Sequence, residues 1–177
     1  RRDLARALVR LGKGPAALEL LHDMPQVYRA PHTLLLWAQA AEQAGRYAES
    51  ADRLDELTGG LSDDDRKAFG SSLRLRTAKN RLKAGQPARA LALTEGQDAD
   101  PSVLRVRLQA LDALERASEA DSLLRARRVA QPDEAGLVAL VAERFPQRGL
   151  VPVPHAGEGE EPGRVGRGGG PRLEPVG

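Results

Sequence analysis

QAGRYAES, residues 43–50, lies between two apolar runs that both have helical spacing. Gly45 suits the left-handed conformation that ends many helices. Ser50 is a small residue one turn into the following run, where it allows two helix backbones to approach closely. The stretch therefore predicts a tight turn between two packed helices, with the ring of Tyr47 in the junction.

Three further stretches share this pattern: RLGKGPAA (10–17), KAGQPARA (83–90) and ALERASEA (113–120). Gly12, Gly45 and Gly85 hold the same position in three of the turns, and Glu115 holds it in the fourth. The spacings between these positions are 33, 40 and 30 residues. Self-similarity with a period in the low thirties predicts stacked helix–turn–helix units.

Small residues recur around each turn. The second helix of each unit carries one at the same place, and an equivalent small or apolar residue lies twelve positions earlier in the first helix. The second-helix positions are Ala17, Ser50, Ala90 and Ala120, and the first-helix positions are Ala5, Ala38, Ala78 and Leu108. Close packing between the two helices of each unit is therefore expected.

Start and stop signals place the helices. Ser62 followed by three aspartates predicts a capped helix start, because acids favour the positive end of the helix dipole. A longer first helix in the third unit explains the 40-residue spacing. The predicted helices cover about 3–11, 15–23, 32–44, 47–58, 63–84, 87–95, 102–114, 117–130 and, as a closing helix, 134–145.

Composition narrows the class of protein. Of the 177 residues 41% are hydrophobic but only 3% aromatic, which favours a core of Ala and Leu between closely packed helices. The absence of Cys excludes disulfides and thiolate chemistry. No apolar run approaches the ~18–20 residues of a membrane span. The net charge of +2 does not by itself indicate a nucleic-acid partner.

The two ends of the chain differ from its middle. Arg1 begins the chain without Met, and Leu4 and Leu8 are already in helical phase, so we interpret the chain as a piece of a longer protein. No signal segment is visible, and we expect a cytoplasmic location. Residues 151–177 contain eight Gly and five Pro. We therefore predict a helical domain over 1–146 and a disordered tail over 147–177.

Residues 31–60 resemble a tetratricopeptide (TPR) repeat. The matching positions are Trp37, Ala38, Ala41, Gly45, Arg46, Tyr47, Ser50, Leu54 and Leu57. Residues 101–134 resemble the same repeat without its turn glycine, through Leu108, Leu111, Ala120, Leu124 and Pro132. The third unit departs from the pattern at Arg74 and Thr94. HEAT-like hairpin arrays are the alternative, although their units are usually longer.

The resemblance implies an all-α, right-handed α-solenoid whose first helices line a concave groove. Such arrays bind peptides or helices of other proteins and are usually not enzymes. The residues agree with this expectation, because His22, His32 and His155 lack the spacing of a metal site. We expect no catalytic residues, no metal and no cofactor.

Charge is divided sharply in the middle of the chain. Residues 42–65 hold eight acids and two bases, whereas 66–89 hold eight bases and no acid. One interpretation is pairing between the two neighbouring helices, and the other is a basic groove for an acidic peptide or a terminal carboxylate. The predicted groove residues are Gln39, Glu42, Arg76, Lys79, Lys83, Arg105 and Gln109.

The sequence leaves open how the chain is used. It is either a binding module by itself or an accessory helical domain of a larger protein whose active part lies upstream. Nucleic-acid binding is disfavoured, because no aromatic residues alternate with the bases.

The last predicted helix has an apolar face of Leu137, Leu140, Val141 and Phe145, which indicates a cap on the final unit or a docking face for a partner or a second subunit.

Overall fold

The computed structural model describes residues 1–25, 30–97 and 100–145, and within these ranges the chain is all-helical. Each predicted helix is present, with ends within one residue of the prediction. The helices are α1 (Arg2–Arg10), α2 (Gly14–His22), α3 (Pro31–Gln43), α4 (Tyr47–Gly59), α5 (Asp63–Lys83), α6 (Pro87–Thr94), α7 (Pro101–Ala113), α8 (Ala117–Ala130) and α9 (Ala135–Arg144). The predicted tail lies outside the described residues.

Four turns join helices in hairpins, and all four close in the same way. In the second turn, the Gly45 amide donates to the Glu42 carbonyl at 3.1 Å and the Arg46 amide donates to the Ala41 carbonyl at 2.8 Å. This pair of bonds is the Schellman closure of a helix end. The same bonds recur in the turns at Gly12, Gly85 and Glu115.

The turn residue has a positive φ in all four turns. Gly12, Gly45 and Gly85 have φ values of 71°, 72° and 69°, as the sequence predicted. Glu115 has a φ of 60°. Since a side chain makes this region unfavourable, the fourth turn keeps the geometry of the others at a conformational cost.

The small or apolar residues around each turn are buried. Each second-helix position is fully buried, and so are its first-helix counterparts apart from a trace of exposure at Leu108. Tyr47 is half-buried at the α3–α4 junction, and the Lys83 ammonium lies 4.9 Å from the centre of its ring.

Neighbouring helices along the chain contact one another, and three longer-range contacts join alternate helices. α1 contacts α3, α5 contacts α7, and α7 contacts α9. No contact of similar extent joins α3 to α5, α2 to α4, α4 to α6 or α6 to α8 in the described chain. Three of the four pairs of alternate odd-numbered helices therefore contact each other to this extent, whereas no pair of alternate even-numbered helices does.

The apolar core is divided into three clusters. One lies around Trp37 between α1, α2 and α3, one joins Leu34 and Leu54 across α3 and α4, and one lies around Leu111 between α7, α8 and α9. The central helix α5 contributes little to them. Its buried residues are Gly70, Thr77, Ala78, Asn80 and Arg81.

The closing helix α9 is held by apolar and ionic contacts. Leu137, Leu140 and Val141 are buried and Phe145 packs against the same cluster, as the sequence predicted. The Arg144 guanidinium also donates two hydrogen bonds to the Asp112 carboxylate, at 2.7 and 2.8 Å, and one to Asp121. These pairs raise the pKa of Arg144 and lower that of Asp112.

We expect Glu115→Gly to raise the free energy of unfolding by about 0.5–1 kcal/mol, because glycine relieves the positive-φ penalty. Glu115→Ala serves as a control that removes the charge and keeps the penalty. Gly45→Ala should lower stability by about 1 kcal/mol, since an added Cβ meets no atom within 4 Å and the cost is conformational. Urea unfolding followed by circular dichroism measures all three, and an equal gain in both Glu115 variants would contradict the explanation.

Candidate functional site

The predicted groove residues lie on three odd-numbered helices. Gln39 and Glu42 are on α3, and Arg105 and Gln109 are on α7. Between them, α5 carries the three predicted bases Arg76, Lys79 and Lys83. Side-chain hydrogen bonds connect α3 to α5, and α5 contacts α7 directly. The structure therefore brings these residues onto connected helices.

Glu42 is the centre of a hydrogen-bond network between α3, α4 and α5. Its Oε1 accepts from Arg76 Nε at 2.8 Å and from Asn80 Nδ2 at 2.6 Å, and its Oε2 accepts from Arg76 Nη2 at 2.7 Å. Asn80 also donates to Ser50 Oγ at 2.9 Å, and the Ser50 hydroxyl donates to Glu42 at 3.3 Å. A two-point pair between a guanidinium and a carboxylate fixes both distance and orientation.

The environment of Glu42 sets its protonation state. Burial by itself would raise the pKa of this carboxyl, but the hydrogen bonds from Arg76 and Asn80 and the charge of Arg76 outweigh burial and lower it below its ordinary value of 4.5. Glu42 is therefore ionised at neutral pH, and it neutralises Arg76.

A second network joins α5 to α4 through Arg81, which is buried. Its Nη2 donates to Asp52 at 2.7 Å and to Asp55 at 2.6 Å, and its Nη1 donates to Gln86 at 3.0 Å. Burial opposes the charged form, but the two carboxylates outweigh it and raise the pKa of Arg81. This is the pairing between acidic and basic helices that the sequence offered as one interpretation.

The four bases predicted for the groove have different surroundings. Arg76 is engaged by Glu42, Arg105 lies 3.4 Å from Glu143 of α9, and Lys83 lies over the ring of Tyr47. Lys79 is exposed and has no ion-pair partner among the described residues. The ion pair with Glu42 thus explains the position of the Arg76 side chain, whereas the Lys79 side chain is exposed to solvent.

Asn80 lies next to Lys79 on α5, but its side chain is buried. Its amide donates both to Glu42 and to Ser50. These bonds join α5 to α3 and α4.

His22 belongs to a third polar cluster. Its Nε2 lies 2.6 Å from Glu49 Oε1, and its ring centre lies 5.2 Å from that of Trp37. Trp37 Nε1 also donates to Glu49 at 2.7 Å. Burial would raise the pKa of Glu49, but the bonds from His22 and Trp37 outweigh burial and lower it.

The predicted cap at Ser62 is present. Ser62 Oγ accepts from the Asp65 amide at 3.2 Å, so the three aspartates lie in the capped first turn of α5. The described residues contain no group of three or more His, Asp or Glu side chains arranged to hold a metal ion. Nor does any helix in the described ranges have the length and apolar character needed to cross a membrane.

Comparisons of this chain with protein-family models, with curated proteins and with solved structures found no match. Functional inference therefore depends on the geometry described above.

We expect Glu42→Gln to lower the free energy of unfolding by about 1–3 kcal/mol at pH 7, because Arg76 loses its partner in a half-buried place. The loss should shrink as the pH falls. Since the folded pKa of Glu42 lies below 4.5, the unfolded chain binds the proton first, and the contribution of Glu42 disappears as the pH drops from about 5 through its folded pKa.

Urea unfolding at pH 7, 5, 4 and 3 measures this convergence. Glu19→Gln is the matched control, since Glu19 is exposed and no partner is found for it in the described chain. A constant difference between wild type and Glu42→Gln across these pH values would contradict the assignment of Glu42 as the ionised centre.

Proposed function

We propose that this chain is a TPR-like α-solenoid that acts as a protein-interaction module and binds a peptide or helix of a partner across α3, α5 and α7. The observation that carries the proposal is the contact pattern of the helices. The contacts of α1 with α3, of α5 with α7 and of α7 with α9, together with the hydrogen bonds from α5 to Glu42 of α3, support a stack of hairpins. In such a stack the odd-numbered helices lie on the inner side.

Repetition supports the same architecture. Four hairpins share one turn geometry and one pair of small buried positions, so each hairpin is a variant of a single unit. Units of this kind bury their apolar faces only against their neighbours and leave one long surface exposed. A long exposed surface suits binding of an extended or helical segment better than catalysis.

The charges of this surface support an acidic ligand. Lys79 is exposed and unpaired among the described residues, Lys83 is one turn away, and Arg105 is half-exposed on the neighbouring helix. Gln39 and Gln109 supply uncharged donors and acceptors on either side. A carboxylate in this surface would receive charge-assisted hydrogen bonds from the lysines.

Nucleic acid suits this surface less well. Among the described groove residues no aromatic ring is available for base stacking. The choice between a free-standing module and an accessory domain does not change the proposed surface.

Selection from a displayed library of random 12-residue peptides tests the proposal. We expect the enriched peptides to carry at least two acidic residues and to lose about tenfold or more in affinity for Lys79→Glu/Lys83→Glu, because two attractive charges become repulsive. Fluorescence anisotropy with the enriched peptides measures the affinities. Circular dichroism verifies that the variant remains helical.

Lys13→Glu/Lys67→Glu makes the same change of charge at two exposed lysines outside the predicted groove. Its affinity should stay within about twofold of the wild type at moderate salt. Equal losses in both double variants would indicate a general charge effect and contradict the groove. Failure to enrich any peptide would do the same.

A further inference from the structure

One row of positions recurs on the odd-numbered helices of all four hairpins. The 33-, 40- and 30-residue spacings make Arg6, Gln39, Lys79 and Gln109 equivalent. The residues four before and four after each of them lie on the same side of the helix, which gives three positions on each of α1, α3, α5 and α7. We call these positions the groove row, because five of the predicted groove residues belong to it. They are Gln39, Lys79, Lys83, Arg105 and Gln109.

The groove row has a basic character. Six of its residues are basic and none is acidic, although the whole chain has nearly as many acids as bases, 25 against 27. The bases are Arg2, Arg6 and Arg10 on α1, Lys79 and Lys83 on α5, and Arg105 on α7. The row therefore carries positive charge on α1 as well as on α5 and α7.

A preceding hairpin does not cover this row. α3, α5 and α7 each follow another hairpin in the chain, and none of their row positions is buried. The bases of the row are exposed on α5 and α7, as they are on α1. The exposure of the α1 arginines therefore follows from the geometry of the repeat and does not depend on what precedes α1.

Two side-chain contacts place the row positions of α1 beside those of α3. At the start of the two helices, the Arg2 guanidinium contacts the His32 ring. At their ends, Gln43 Nε2 donates to the Val9 carbonyl oxygen at 2.9 Å. Since α1 and α3 also contact each other directly, their row positions lie side by side.

The arginines of α1 have few partners inside the molecule. Arg6 lies 3.6 Å from Asp3, whose side chain is 85% exposed. An exposed pair of this kind contributes little to stability, so a ligand carboxylate can replace Asp3 at low cost. Arg10 has no ion-pair partner within the described ranges. Two guanidinium groups one turn apart are therefore open to a ligand.

Helix α3 separates the two basic parts of the row. Its three row residues are Leu35, Gln39 and Gln43, which carry no charge. Packed helices lie about 8–10 Å apart, so α1 and α5 are separated by two helix spacings, or roughly 20 Å. An extended chain covers about 3.3 Å per residue, and roughly six residues span this distance.

We propose that the groove continues onto α1 and that its ligand is an extended segment of a partner protein with two acidic clusters. Arg6 and Arg10 bind one cluster, and Lys79 and Lys83 bind the other. The stretch of about six uncharged residues between the clusters lies across α3. This inference rests on the proposed function, and it adds the charge pattern of the ligand.

Four labelled peptides of equal length test this pattern. The first has two pairs of aspartates separated by six uncharged residues. The second has the same two pairs separated by two residues, so that its charge is unchanged. The third and fourth keep the six-residue spacing but replace one or the other pair by asparagines. Both ends of every peptide are blocked, so that no terminal carboxylate contributes. Fluorescence anisotropy with the whole chain measures the affinities.

We expect the six-residue spacing to give at least about fivefold tighter binding than each of the other three peptides, because one ligand then engages both basic parts at once. Arg6→Gln/Arg10→Gln should remove this advantage, so that the first two peptides bind within about twofold of each other. Lys67→Gln/Arg89→Gln is the matched control, since it removes two exposed charges outside the groove row. It should retain the advantage. Circular dichroism verifies that both variants are as helical as the wild type.

Two results would overturn this inference. Equal affinity of the wild type for the six-residue and two-residue spacings would mean that net charge alone decides binding. Loss of the advantage in Lys67→Gln/Arg89→Gln as well would mean that the α1 arginines have no special part. In either case the proposed function stands if Lys79→Glu/Lys83→Glu still loses the library peptides. Absence of binding by every acidic peptide contradicts both proposals.

Discussion

The two-point ion pair between Glu42 and Arg76 is the interaction on which the middle of this molecule depends. Apolar clusters lie on either side of α5, but α5 itself buries Thr77, Asn80 and Arg81 where other helices bury leucine or alanine. Hydrophobic burial therefore contributes little along this helix. Charge-assisted hydrogen bonds to α3 and α4 take its place, and they require every partner to be present.

The parts of the fold that sequence could predict are those that local chemistry determines. The turn glycines, the small residues around each turn and the cap at Ser62 each act over a few residues, so their pattern can be read directly. The turn at Glu115 shows that the common turn geometry of the hairpins prevails over the conformational preference of a single residue. Its turn keeps the common hydrogen bonds although its side chain disfavours the conformation.

The polar networks could not be predicted to the same degree, because their partners are far apart in sequence. Glu42 and Arg76 are 34 residues apart, so their pairing depends on how two hairpins stack. The sequence therefore left two interpretations open for Arg76, pairing with a neighbouring helix and binding an acidic ligand. A signal was present, however, at Arg81, which follows Thr77 and Ala78 on the buried side of α5. A charged residue in phase with small buried ones indicates an internal pair.

The buried pair also determines where the exposed charges lie. Because Glu42 accepts two hydrogen bonds from one guanidinium, a shift of α5 by one residue would break both bonds and also separate Asn80 from Ser50. The register of α5 against α3 is thus fixed by geometry as well as by packing. Lys79 lies one residue before Asn80 on a helix held in this way. The position of the exposed ammonium therefore follows from hydrogen bonds made by the next residue, Asn80, and by Arg76 one turn earlier on the same helix.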